Sequence, residues 1–246
     1  MQFGQGWNPA DPDHAPIDLP RAIEEIRRHD ADIVFLQEVE QAQAGGKQVE
    51  PAPNFTRIRG ALPGYDAAFC YPKADPRELP FGVGLAILSR TPLRTIERFD
   101  LPSPPIAFEF RGRKTTPTDR VMLTAQTTVQ RRSVRLLNTH LLAFFMLGRS
   151  SAQHPEQRRL VAAQLGASHG PTLLAGDFNV RGHDELAAQF APLGFATVQS
   201  TEVTWRRQPF ILDHIFYNAP LRCLAHHVVP TLASDHHALV ADFEIE

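Results

Sequence analysis

The chain has 246 residues, 43% hydrophobic and 21% charged, which suits one packed core and excludes a disordered or low-complexity chain. A net charge of −2 and a pI near 6.6 exclude a uniformly basic nucleic-acid binder, although a local basic groove stays open. The two cysteines, Cys70 and Cys223, exclude a disulfide framework and a zinc-finger spacing.

Residues 18–28 predict a helix, with Asp18 placed to cap it and Leu19, Ala22, Ile23 and Ile26 on one face. Residues 32–39 follow as a buried, β-branched strand. Further strands are predicted over 85–89, 121–129, 134–139 and 172–175, with a hairpin link at Gln130-Arg131-Arg132-Ser133. A helix over about 155–167, with Pro155 suited to its first turn, separates the last two of these. Strands over 212–217 and 238–244 close the chain. Residues 41–53 and 102–117, rich in Gly, Pro or polar side chains, read as long loops. Many strands with few helices imply mixed sheets in an α/β arrangement. The longest apolar run, 141–147, is far short of the roughly 20 residues a membrane helix needs, and no signal peptide is visible. A cytoplasmic protein is therefore expected.

Five polar motifs punctuate this pattern, most at the end of an apolar run: Gln37-Glu38, Asn138-Thr139-His140, Gly176-Asp177-Phe178-Asn179, Leu212-Asp213-His214 and Ser234-Asp235-His236-His237. Together they supply carboxylates, an amide and imidazoles. Phosphodiester hydrolysis needs those groups: a positioned water, charge neutralisation at phosphoryl oxygens and help for the leaving oxygen. Hard divalent ions take carboxylate and water oxygens, so Glu38 and Asp235 are candidate ligands for Mg²⁺ or Mn²⁺. Asp177 and Asn179, two apart, would project the same way if strand geometry continued, one orienting water and the other binding phosphate or metal. His236 suits a general base or a phosphate contact, with Asp213 fixing its tautomer, and His140 offers a second donor.

In this order the motifs resemble the endonuclease/exonuclease/phosphatase superfamily over nearly the whole chain. That family includes pancreatic-type deoxyribonucleases, abasic-site endonucleases, neutral sphingomyelinases and inositol polyphosphate phosphatases. The resemblance implies one domain over 1–246, folded as a four-layer α/β sandwich of two mixed sheets flanked by helices. It implies Glu38 as the metal-binding carboxylate, Asp177 and Asn179 for water orientation and transition-state stabilisation, and Asp213 supporting His236. Asp235 falls near the metal and His140 at the phosphate. One departure stands out. Family members usually open on a strand ending in Asn, whereas this chain begins Met1-Gln2-Phe3-Gly4-Gln5-Gly6-Trp7, so a first strand truncated at the N-terminus is expected.

Other signals are read as ordinary surface or core. His226-His227 has no neighbouring cysteine or acidic ligand in sequence, and adjacent strand residues face opposite ways. His183 and Asp184 are placed in a loop. Arg111, Arg113 and Lys114, and likewise Arg131, Arg132 and Arg135, read as solvated faces. Leu141-Leu142-Ala143-Phe144-Phe145-Met146-Leu147 reads first as core and second as an apolar lip for a lipid or aromatic leaving group. The expected function is a metal-dependent phosphoesterase acting by in-line attack of water, foremost a nuclease on DNA or RNA. The alternatives are an esterase of lipid or small-molecule phosphates and a non-catalytic binding protein on the same fold.

Overall fold

Asp18 accepts the Arg21 amide at 3.1 Å and starts helix α1 (Leu19–His29) in the computed structural model, which describes residues 1–246. Strand β1 (Ile33–Gln41) follows, then α2 (Pro53–Ala61), β2 (Asp66–Cys70), β3 (Gly82–Ser89) and β4 (Arg94–Leu101). The next segment holds β5 (Phe108–Phe110), β6 (Arg113–Thr115), β7 (Arg120–Val129) and β8 (Arg132–His140). After them come α3 (Glu156–Gly166), β9 (Thr172–Asp177), α4 (His183–Phe190), β10 (Phe195–Thr197), β11 (Asp213–Asn218), β12 (Leu221–Val229) and β13 (Ala238–Ile245).

Six strands form a large sheet in the order β10-β11-β9-β8-β7-β4. Its mixed character lies in one parallel pair, β8 with β9. A smaller sheet, β1-β3-β2, is antiparallel throughout, and β5-β6 and β12-β13 are separate hairpins.

Side-chain alternation makes the layers. Leu85 and Ile87 of β3 pack with Val121, Leu123 and Leu136 of the large sheet, so the two sheets lie face to face. Their neighbours Ala86 and Leu88 point the other way, onto Leu19 and Ile23 of α1 and Ile58 of α2. Met122, Leu137 and Leu174, on the outer face of the large sheet, cover Val161 and Leu165 of α3 and Leu186 and Phe190 of α4. The result is the expected four-layer sandwich, helix–sheet–sheet–helix. No helix is long and apolar enough to cross a membrane.

A cleft of about 490 Å³ separates β1 from β13. It is lined by successive residues of β1, Ile33 through Glu38, and of β13, Ala238 through Phe243. Successive strand residues face opposite sides of a sheet, so a lining drawn from consecutive residues is made by the strand edges. Neither edge pairs with the other.

Several expectations change. Pro155 precedes α3 as its N-cap and does not enter the first turn. Residues 102–117 carry the β5-β6 hairpin and are not all loop. His183 and Asp184 open α4. Arg135 turns inward, donating to Gln164 O at 2.7 Å and Ser168 Oγ at 2.9 Å, so it belongs to no solvated face. His226 does have an acidic neighbour, Glu202, 3.7 Å away, but no third ligand joins them.

Candidate active site

The polar motifs meet at one end of the two sheets because strand register puts them there. His140 at the end of β8 lies beside Asp177 at the end of β9, and Asp177 is the register partner of Asp213 at the start of β11. Asp213 Oδ2 accepts His236 Nδ1 at 2.7 Å. The Nε2 atoms of both histidines face one carboxylate oxygen: His140 Nε2 is 3.6 Å and His236 Nε2 3.8 Å from Asp177 Oδ2.

Asn179 fixes that carboxylate. Its backbone N–H donates to Asp177 Oδ1 at 2.9 Å, and its Nδ2 donates to Asp177 Oδ2 at 3.1 Å and Leu141 O at 3.0 Å. Asn179 sits at φ +52°, a left-handed conformation that asparagine tolerates better than most residues. Phe178 between them is fully buried in the helix-side core, anchoring the turn. A Cβ on Gly176 would come 2.0 Å from Thr139 O, so the close β8–β9 approach requires glycine there.

Glu38 reaches the site by a bulge. The β1–β3 register shifts between Gln37 and Glu40, and Glu38 adopts φ +54°, strained backbone of the kind found at functional positions. Its neighbour Gln37 donates from Nε2 to Asn138 Oδ1 at 2.7 Å, while Asn138 Nδ2 donates to Leu36 O and Ala86 O, both at 2.9 Å. Asn138 is fully buried, so this amide pins the small sheet to the large one and sets Glu38 relative to His140. Sequence reasoning placed Asn138 and Gln37 in motifs without giving them this task. It also missed Gly82, Trp205 and Arg207, for which the sequence carries no signal.

Asp235 is divided. Its Oδ2 accepts Arg207 Nε at 2.9 Å and Trp205 Nε1 at 3.3 Å, whereas its Oδ1 is buried with no partner. Glu38 makes no hydrogen bond or ion pair, and burial followed by the nearby Asp235 charge pushes its carboxyl above the usual range. An unpaired buried carboxylate oxygen is costly, and two of like charge are relieved by a divalent cation. The donors fit that group. No three His, Cys, Asp or Glu side chains converge to hold a metal by themselves, so an ion here would complete its shell with water and substrate oxygens, as Mg²⁺ does.

The imidazoles are differentiated by their surroundings. Burial pulls His236 down, but Asp213, by charge and hydrogen bond, together with Asp177 and Asp235, lifts it to about 10. His140 goes the other way, well below its ordinary value, through burial and then the Arg120 charge. Burial raises the Asp177 carboxyl, opposed by His236. The site therefore combines a charged imidazole held by Asp213, a neutral imidazole at His140 and a carboxylate with proton affinity between them.

His214, adjacent to the site but turned into the core, yields a stability prediction. It packs on Phe178 and Phe216, and burial holds its imidazole down to about 4. Between about pH 6.5 and 4 the unfolded chain takes up a proton that the folded chain refuses, so stability falls as pH falls through that window. The expected contribution is about 3 kcal/mol. His236 and Asp177, whose proton affinities are raised, contribute with the opposite sign in the same window, so the His214 share is read as the difference between wild type and His214→Phe in urea unfolding at about pH 7 and about pH 4.5; no difference between the two would contradict it.

The sequence model of the Endonuclease/Exonuclease/phosphatase family matches residues 7–236. The chain belongs to that family. Its members are hydrolytic phosphoesterases. Solved structures show the same fold. An endonuclease/exonuclease/phosphatase from Bacteroides vulgatus superposes with a TM-score of 0.72 at 18% identity, covering 99% of this chain and 96% of that one. One from Beutenbergia cavernae gives 0.68 at 22% identity, over 99% and 70%. A mannosyl-6-phosphatase from Bacteroides thetaiotaomicron gives 0.67 at 18% identity, over 98% and 97%. No curated protein sequence matches the chain.

Proposed function

We propose that this chain is a divalent-metal-dependent phosphoesterase whose single domain, residues 1–246, hydrolyses phosphoester bonds by in-line attack of water, with nucleic acid as its substrate. The observation that carries the reading is the convergence of His140 Nε2 and His236 Nε2 on Asp177 Oδ2, 3.6 and 3.8 Å away.

Asp177, with raised proton affinity and its orientation fixed by Asn179, holds the attacking water and takes its proton. His236, kept charged by Asp213, donates from Nε2 to a phosphoryl oxygen. A charged imidazole has no free lone pair, which favours phosphate contact over general base for His236. His140 adds a second donor to the developing charge. Glu38 and Asp235 would hold Mg²⁺ or Mn²⁺, which when bound neutralises phosphoryl charge.

A second reading, an ester with a lipid or aromatic leaving group, is favoured by the wall beside the site. Leu141, Leu142 and Phe144 are buried core. Phe145 instead packs 5.7 Å from both Trp205 and Phe210, and Met146 is 69% exposed. Trp205 is joined to the site through Asp235.

Nicking of supercoiled plasmid with Mg²⁺ or Mn²⁺ tests the first reading. Nicking that needs metal and disappears in His236→Ala supports a nuclease built on these residues. Hydrolysis of phospholipid vesicles or aryl phosphates without nicking would shift the substrate to the second reading. Metal binding without turnover of any ester would overturn both and leave a binding protein.

A further inference from the structure

Hairpin β5-β6 carries Arg111, Arg113 and Lys114, the basic run read from sequence as a solvated face. Phe110 and Arg113 are cross-strand partners, joined by Arg111 and Gly112 at φ +49° and +79°, the positive values of a two-residue hairpin turn. Side-chain alternation puts Phe110 and Arg113 on one face, and Glu109 with its partner Lys114 on the other. The Arg111 guanidinium lies 5.3 Å from the Phe110 ring centroid, and Phe110 meets Phe81 edge-on at 5.5 Å. Phe81 is 51% exposed. Arg111 and Arg113 are exposed and form no ion pair, and Asp13 beside Arg111 is already matched to Arg207.

Both ends of this patch border the candidate active site. Phe81 precedes Gly82, which abuts Glu38: a Cβ there would lie 2.2 Å from Glu38 Cβ. At the other end Arg207, by hydrogen bond and charge, lowers the Asp13 carboxyl, with His14 and Arg111 adding to it. Arg207 also donates to Asp235 Oδ2. The rings and the two cations therefore flank Glu38 and Asp235.

An exposed aromatic ring beside guanidinium groups suits a stacked base whose neighbouring phosphates meet the cations. A paired base keeps its faces inside the duplex, so the ring selects an unpaired one. A bilayer fits less well. The tip leads with Arg111 and Arg113, and Phe81 is the one large apolar side chain exposed on the patch, whereas interfacial insertion buries a broad apolar face.

We propose that Phe81, Phe110, Arg111 and Arg113 form a binding surface for a single-stranded segment of nucleic acid, with a base on Phe81 and adjoining phosphates on the two arginines. The surface rests on the nucleic-acid reading above for its link to cleavage, although strand binding is measurable without turnover.

The test is fluorescence anisotropy of a labelled thymidine oligonucleotide of about 12 nucleotides, enough to span one site. Its phosphorothioate linkages resist cutting, and Mg²⁺ is present. Wild type, Phe81→Ala, Arg111→Gln/Arg113→Gln and Lys114→Gln are compared at several salt concentrations, with thermal unfolding of each, a duplex of the same length and phosphatidylserine vesicles. Phe81→Ala is expected to weaken strand binding by about 5- to 150-fold. The double variant should lower the slope of log affinity against log salt by about 1.4, and Lys114→Gln, on the opposite face, should change it less. Affinity unchanged in either folded variant, Phe81→Ala or the double, overturns the proposal. So do duplex binding as tight as strand binding, a loss in Lys114→Gln equal to that in the double variant, or vesicle binding without strand binding. Hairpin-dependent strand binding with no cleavage of the unmodified strand would overturn the nuclease and leave the surface standing. Cleavage that needs His236, with binding indifferent to the hairpin, would overturn the surface alone.

Discussion

Asp177→Asn is expected to lower kcat by about a thousandfold, the middle of the range for losing a positioned proton acceptor. The substitution keeps the size of the side chain and removes its charge. It also puts an amide where a carboxylate accepts two donors from Asn179, at 2.9 and 3.1 Å, so one of those bonds must break and modest destabilisation follows. Inorganic phosphate affinity should change far less than kcat, because the proposed mechanism gives Asp177 the water and not the phosphate. A variant with more than about a tenth of wild-type kcat would remove Asp177 from the role of base. The comparison with His236→Ala is informative. In the proposed mechanism His236 holds the phosphoryl oxygen, and it is paired with Asp213, so its loss should impair binding and stability together.

Gly82→Ala is expected to have the second largest effect, through a residue that touches no substrate. A Cβ at Gly82 would lie 2.2 Å from Glu38 Cβ and 2.7 Å from its Cγ and Cδ, closer than real atoms approach. Glu38 has little room to yield. Its backbone is already at φ +54° in a bulge, and the strand just before it is tied to Asn138 through Leu36 and Gln37. The carboxylate must therefore leave its position. Groups that orient a metal ligand are worth about 10- to 100-fold in metal affinity, so the Mg²⁺ concentration for half-maximal activity should rise by about that factor. Titration of activity with Mg²⁺ measures it. An unchanged metal requirement, in a variant that folds, would mean that Glu38 holds no metal.

The parts of the fold that could be read from sequence are those whose patterns arise from burial. Ile33–Gln41, Arg120–Val129 and Thr172–Asp177 sit between packed layers and show it as apolar runs. Strand β4 is exposed at nearly every position, so Arg94-Thr95-Ile96-Glu97-Arg98 carries no alternation to detect. Helices α2 and α4 are short, and α4 follows a Gly-containing stretch that reads as a turn. The site was legible because its acids, amide and imidazoles fall in ordered short motifs, and the structure brings His140, Asp177, Asn179, Asp213 and His236 together. The support was not legible. Gly82, Asn138 and Arg207 act across 44, 101 and 28 positions of chain to Glu38, Gln37 and Asp235 respectively, and no local pattern encodes contacts at that distance. Trp205 and Phe210 pack with Phe145 for the same reason.

The cleft between β1 and β13 also governs how the molecule behaves among its own copies. Each flank is a row of main-chain amides and carbonyls without strand partners, over a floor that includes Leu173, Ile215 and Leu221. Unpaired edges over apolar surface are templates for β-type self-assembly. The net charge of −2 supplies little repulsion to oppose such pairing. An inward-facing lysine on β13 would guard against clumping more effectively than charges added elsewhere on the surface.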